Sequence, residues 1–182
     1  MKNSVEWLTR LLFTNRLFSP TPRSHTQPAA ESSFSGFAET FYELGQFTRK
    51  LRYQLRFGSL SRAPLQLLRF EVRGSTAECE IVARPLDLWD RDLMEDVRHR
   101  NATVQALEDA LAVRSLLFRF LPSVSSATLR VYRKSGADVE LIILGALTRE
   151  DPGIRVLSPV MHAQLCGLRF CLDDGVLMPV QS

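Results

Sequence analysis

Apolar side chains fall at helical spacing from the start of the chain. Val5, Trp7, Leu8, Leu11, Leu12 and Phe18 lie on one side of a helical wheel, with Glu6, Thr9 and Arg10 opposite. Asn3, followed by Glu6, is a capping-box start. The pattern then breaks. Over residues 19–33, Pro20, Pro22 and Pro28 stand among Ser, Thr, Gln and Ala, which forbids a continuous helix and leaves little to bury. Helical spacing resumes with Phe34, Phe37, Phe41, Leu44, Phe47, Leu51 and Leu55, and Gly58 supplies a stop.

Beyond that helix the period changes to two. Leu68, Phe70 and Val72 alternate with Arg69, Glu71 and Arg73. After Gly74-Ser75, Ala77, Cys79 and Ile81 alternate with Glu78 and Glu80. A two-residue loop sets Val72 against Ala77, Phe70 against Cys79 and Arg69 against Glu80. A second hairpin is predicted from Ala127, Leu129 and Val131 through a three-residue loop, Lys134-Ser135-Gly136, to Val139, Leu141 and Ile143. That register pairs Val131 with Val139, Leu129 with Leu141 and Arg130 with Glu140.

Between the hairpins, Asp87 or Asp90 is expected to open a long helix with acidic first turns. Leu93, Val97, Val104, Leu107, Leu111 and Phe118 form its buried stripe, His99-Arg100-Asn101 is a place for a kink, and Pro122 ends it. In the tail, Ser158-Pro159 starts a short helix that stops at Gly167. Alternating residues then run to an Asp174-Gly175 turn. The expected fold is α+β: an antiparallel sheet of two β-hairpins flanking a long helix, with helices mainly on one face. An amphipathic helix at 1–18 and a linker at 19–33 precede a single domain at 34–182.

Composition narrows the class. At 182 residues, 45% hydrophobic and 24% charged, the chain is globular, with room for one domain and an appendage. No segment approaches a membrane span, and Arg10 and Arg16 interrupt any leader-peptide core. Three cysteines without framework spacing suit a reducing compartment, so a cytoplasmic location is expected. Of 23 basic residues 20 are Arg. Scattered along the whole chain, they read as coding composition rather than as one anion site. Charge is uneven: residues 1–63 carry a net +5 and residues 64–182 a net −2, which points to an internal match or an anionic partner for the first part.

Candidate chemistry is sparse. His162 and Cys166, four apart, would be neighbours on a helix. No glycine-rich turn beside them marks an oxyanion hole, and buried packing is the simpler role for Cys166. Cys166, Cys171 and His162 lack zinc-site spacing, with Cys79 a fourth ligand only by folding. The acids from Asp87 to Asp96 are accounted for by a helix start. No phosphate-cradling motif occurs. No catalytic residue, metal site or cofactor is therefore expected.

Two binding features remain. The leading expectation is a non-catalytic protein-interaction module, an adaptor or assembly subunit that binds a protein partner or its own copy. It would dock through Trp7, Leu8, Leu11, Leu12 and Phe18 of the first helix and through a sheet edge. The same helix has two other fates, folding back as core or, least favoured, lying on a membrane surface. The alternative function is nucleic-acid binding. Arg49, Arg52 and Arg56, three and four residues apart with Tyr53 nearby, would line one flank of the Phe-rich helix as an anion-binding strip.

Overall fold

In a computed structural model of the chain, the described residues are 30–86, 88–150 and 158–180, excepting the side chains of 30–41 and 88–89. All but the first turns of one helix lie in a compact unit spanning 37–182. The element order is α1 (Ala30–Gln54), β1 (Gln66–Arg73), β2 (Thr76–Val82), a 3-10 turn (Leu88–Asp92), α2 (Glu95–Phe120), β3 (Ser126–Ser135), β4 (Asp138–Thr148), α3 (Pro159–Leu165), β5 (Leu168–Arg169), β6 (Cys171–Asp173) and β7 (Val176–Met178). The content is mixed α and β. Strands β1 to β5 form one sheet in sequence order, and β6 and β7 form a small second one. The larger sheet is antiparallel except between β2 and β3, which α2 connects as a parallel pair.

Period-two alternation becomes rows of packed side chains. Val72, Ala77, Ala127 and Leu147 stand side by side, as do Phe70, Cys79, Leu129, Gly145 and Leu168, then Leu67, Ile81, Val131 and Ile143. Most of these residues are buried. A Cβ on Gly145 would come within 2.5 Å of the Leu168 side chain, so glycine is what lets β5 close that edge. Charges occupy the alternate positions: Arg130 reaches Glu80 at 3.2 Å, and Glu71 takes both Arg69 and Arg73 at 2.6 Å. Hydrogen bonds from Arg73 and Arg69 hold the Glu71 carboxyl below its ordinary range.

The β1–β2 register has Val72 opposite Ala77, Phe70 opposite Cys79 and Arg69 opposite Glu80. The β3–β4 register corrects the expected one. Val131 faces Ile143, Leu129 faces Gly145, and the loop has two residues, since Ser135 pairs with Asp138. Gly136 keeps a positive φ of 62° in that loop. The reason is burial: this register places Ile143 and Leu147 in the core and leaves Val139 exposed. Glu140 then pairs with Arg133, at 2.8 Å, instead of Arg130. Between Val131 and Tyr132 the register shifts and Ile142 has no partner. Such a bulge lets Ile142 and Ile143, though adjacent, both be buried.

Helix α1 starts at Ala30, inside the stretch read as linker. Phe47, Leu51 and Leu55 are buried, and the Phe47 ring stacks on Phe70 of β1 with centroids 4.5 Å apart. Each such burial is worth about 1.5–3 kcal/mol. Helix α2 begins at Glu95, later than expected, with Asp90 and Asp92 in the 3-10 turn before it. It runs unbroken through His99-Arg100-Asn101. Its buried face is Thr103, Ala106, Leu107, Ala110, Val113 and Leu117, whereas Leu93 is exposed and Val97, Val104 and Leu111 are half-buried. Leu107 and Phe118 of the expected stripe are buried, and the face is displaced because small residues, Ala106 and Ala110, are part of it along with Val113 and Leu117. In the tail, α3 ends at Leu165, and Gly167 follows its cap, where a φ of 85° and the 2.7 Å approach of a would-be Cβ to the Ala146 carbonyl demand glycine.

A buried ion pair joins α1, β2 and α2. Arg84 and Asp109 side chains are 1% and 3% exposed. Arg84 Nε donates to Asp109 Oδ2 at 2.7 Å, and Nη2 donates to Asp109 Oδ1 at 3.0 Å and the Leu55 carbonyl at 2.7 Å. Nη1 donates to the carbonyls of Arg56 and Ala63. All five guanidinium protons are thus used. Burial pushes the Asp109 carboxyl up, opposed by hydrogen bonds from Arg84 and Gln105. Gln105 also accepts from the Leu60 amide at 2.6 Å. Gly58 is needed here for space: a Cβ would lie 2.3 Å from the Gln105 amide group.

Removing one member of such a pair leaves a buried, uncompensated charge. Arg84→Leu should therefore cost about 3–5 kcal/mol in urea unfolding, and Arg84→Lys should also be destabilising because an ammonium has three donors for five acceptors. A loss below about 1 kcal/mol for Arg84→Leu would overturn this account.

Candidate anion-binding surface

The last turns of α1 place Phe47, Leu51 and Leu55 inward. The helical period therefore turns Arg49, Arg52, Tyr53 and Arg56 outward, and all four are exposed. With Thr48 they line a shallow concavity of about 380 Å³. Tyr53 is 81% exposed and Phe57, just beyond, is 59% exposed. The Arg56 guanidinium lies 5.3 Å from the Phe57 ring centroid, a cation–π contact. The three arginines suggested by spacing do come together on one face, and Phe57 is an addition that the helical pattern did not mark.

Charge on this face is lopsided. Residues 42–57 carry Arg49, Lys50, Arg52 and Arg56 against Glu43 alone, and Glu43 accepts from Ser123 Oγ at 3.4 Å. Among the described residues no ion pair engages Arg49, Arg52 or Arg56, so no internal match to Asp90–Asp96 is made. Arg52 has a structural use in the last turn, where a cation complements the helix dipole. That use does not extend to a strip spanning two turns.

The position of this strip follows from the Arg84 cluster. Leu55 and Arg56 give their carbonyls to Arg84, which ties down the end of α1 and fixes which way its outer face points. Trp7, Leu8, Leu11, Leu12 and Phe18 lie outside the described residues. The sheet edge offered for docking is the outer side of β1, which has no partner strand among the described residues, while β4 is closed by β5. A register shift between Leu67 and Arg69 and the charges of Arg69, Glu71 and Arg73 blunt that edge.

The remaining candidates sit apart. Cys79 is in the core row between Phe70 and Leu129, and burial pushes its thiol up to about 12. Cys166 is buried at the end of α3, whereas Cys171 is exposed on β6. His162 and Cys166 are linked through their backbones, the Cys166 amide donating to the His162 carbonyl at 3.0 Å. No group of three His, Cys, Asp or Glu side chains among the described residues could hold a metal ion, and no helix there is long and apolar enough to cross a membrane.

Comparison with known proteins adds no name: no family model matches the chain, nor does any curated protein or solved structure.

Thiol chemistry distinguishes a packing role for Cys166 from a nucleophilic one. A disulfide reagent should modify one cysteine, Cys171, quickly in the folded protein, and all three after unfolding. Fast, selective reaction at Cys166 would revive a His162–Cys166 site.

Proposed function

We propose that the chain is a non-catalytic interaction module whose working surface is the outer face of α1, and that its partner is a polyanion, namely a single-stranded nucleic acid. What supports this reading is the set of three outward arginines, without acidic partners among the described residues, beside an exposed tyrosine and phenylalanine. Cations of this kind track a phosphate backbone, and each exposed aromatic ring offers a platform on which a base can stack, worth about 1–3 kcal/mol. Arginine suits the task through its planar fork of donors. On this reading the nucleic-acid alternative is preferred to the protein-docking one.

A second reading keeps the chain as an adaptor or assembly subunit that binds a protein or its own copy. The open edge of β1 favours it, since such an edge can add a strand. The apolar residues Trp7, Leu8, Leu11, Leu12 and Phe18 would supply the other contact.

For the first reading, mixed single-stranded RNA or DNA should bind the full chain at low salt. The triple variant Arg49→Ala, Arg52→Ala, Arg56→Ala should lose most of that affinity. It should also reduce the slope of log affinity against log salt by about 2, taking roughly 0.7 per phosphate contact. The three residues are exposed, so the variant should fold. No binding at about 50 mM salt, or unchanged binding by the variant, defeats the reading. For the second, light scattering on the full chain should report an assembly that the pair Leu11→Glu and Phe18→Glu dissolves; a monomer at every concentration, before and after substitution, and capture of no protein partner, would refute it.

A further inference from the structure

The parallel strands β2 and β3 end their pairing side by side, at Val82 and Tyr132. A cleft of about 570 Å³ opens there, within the range of small-molecule sites, about 300–1,000 Å³. It is separate from the outer face of α1: no residue of that helix lines it.

Its apolar lining comes from four elements: Val82 of β2, Ala102 and Ala106 of α2, Ile142 of β4 and Leu177 of β7. Ile142 is available because the register shift of β4 turns it toward the burial side beside Ile143. Leu86 and Met178 also line the cleft, yet remain 40% and 38% exposed. Apolar surface of this kind, in a concave site, gains by being covered.

Three cations, Arg84, Arg133 and Lys134, reach the cleft, and among the described residues none that lines it is a carboxylate. Two of these cations are committed. Arg84 is saturated by Asp109 and three carbonyls. Arg133 donates to Glu140 Oε2 at 2.8 and 3.2 Å and to the Leu177 carbonyl at 2.9 Å. Lys134 is different. It is exposed and makes one contact, Nζ to Gln66 Oε1 at 3.1 Å, so two of its three protons remain available. Thr103, 4% exposed and lining the cleft, accepts from the Leu177 amide at 3.0 Å. No acceptor for its own hydroxyl proton is found among the described residues.

We propose that this cleft binds a small amphipathic carboxylate, whose apolar body lies on Val82, Ala102, Ala106, Ile142 and Leu177 and whose acid group is held by Lys134. The volume and lining set the size and greasiness of the ligand. The lack of lining carboxylates among the described residues, together with an ammonium whose one contact is neutral, sets its charge. Binding requires no reaction, and it stands independently of the nucleic-acid reading.

Calorimetry on the full chain with decanoate, decanol and decylamine tests the proposal. Decanoate should bind with 1:1 stoichiometry, decanol about tenfold more weakly or worse, and decylamine not measurably, because a charge-assisted contact is lost or reversed. Lys134→Glu, a change at an exposed position, should weaken decanoate about tenfold or more while leaving decanol as it was. Ala102→Leu, which fills the floor, should weaken both; a melting temperature near that of the parent shows that the variant folds. Absence of decanoate binding overturns the proposal, and so does equal affinity for acid and amine, or indifference to Lys134→Glu.

Discussion

The Arg84 guanidinium holds together parts of the chain that have little other reason to meet. It stands just beyond β2, and its partners are Asp109 on α2, the carbonyls of Leu55 and Arg56 just past the end of α1, and the carbonyl of Ala63 in the following loop. Five donors face five acceptors. A buried pair of this sort is a weak source of net stability, because both ions give up their hydration, and an apolar replacement of equal volume could pack as well. Its effect is on geometry. An oily contact tolerates rotation and sliding, whereas five directed hydrogen bonds allow one placement of the α1 terminus against α2. The exposed arginine strip and the cleft wall at Arg84 both inherit their positions from that placement.

The same device recurs at the other long helix. Arg149, just beyond β4, donates to the carbonyls of Phe118, Leu121, Pro122 and Val124 at 2.5–2.9 Å, so the end of α2 is also closed by an arginine from the sheet. Arg114 reaches back to the Thr148 and Glu150 carbonyls, and Arg133 ties β3 to β7. Helix ends leave carbonyls without internal partners, and a planar cation with several donors satisfies more of them than lysine can. The arginine excess, which as composition looked uninformative, thus has a structural use at these positions.

Local periodicity carried some of this and non-local pairing carried the rest. The β1–β2 register could be read because alternation and the Gly74-Ser75 loop agree on it. The β3–β4 register could not, because Leu141 to Leu147 is apolar at every position, and such a run does not say which residues face inward. The parallel pairing of β2 with β3 joins residues about fifty positions apart and leaves no local mark. Arg49, Arg52 and Arg56 were recognisable from spacing alone, since a helix turns that spacing into a surface. Arg84 and Asp109 lie 25 residues apart with no motif joining them, and the cleft is assembled from residues scattered between Pro64 and Met178, so neither has a local pattern to find.

The cations therefore fall into two groups, and the division bears on function. Arg84, Arg114, Arg133 and Arg149 bond to the fold's own carbonyls and acids, so a ligand would have to compete for them. Among the described residues, the side chains of Arg49, Arg52 and Arg56 have no such partner, and Lys134 has one neutral one. Salt acts differently on the two uncommitted sites. Both surfaces offer exposed cations, screened over a Debye length of about 8 Å at physiological ionic strength; they differ in number, three arginines on the helix against one lysine at the cleft. Polyanion binding on the helix should consequently fade with salt far faster than capture of a small acid beside Lys134, because more counterions are released. That contrast follows from the number of charges engaged, and it lets the two surfaces be told apart within one protein.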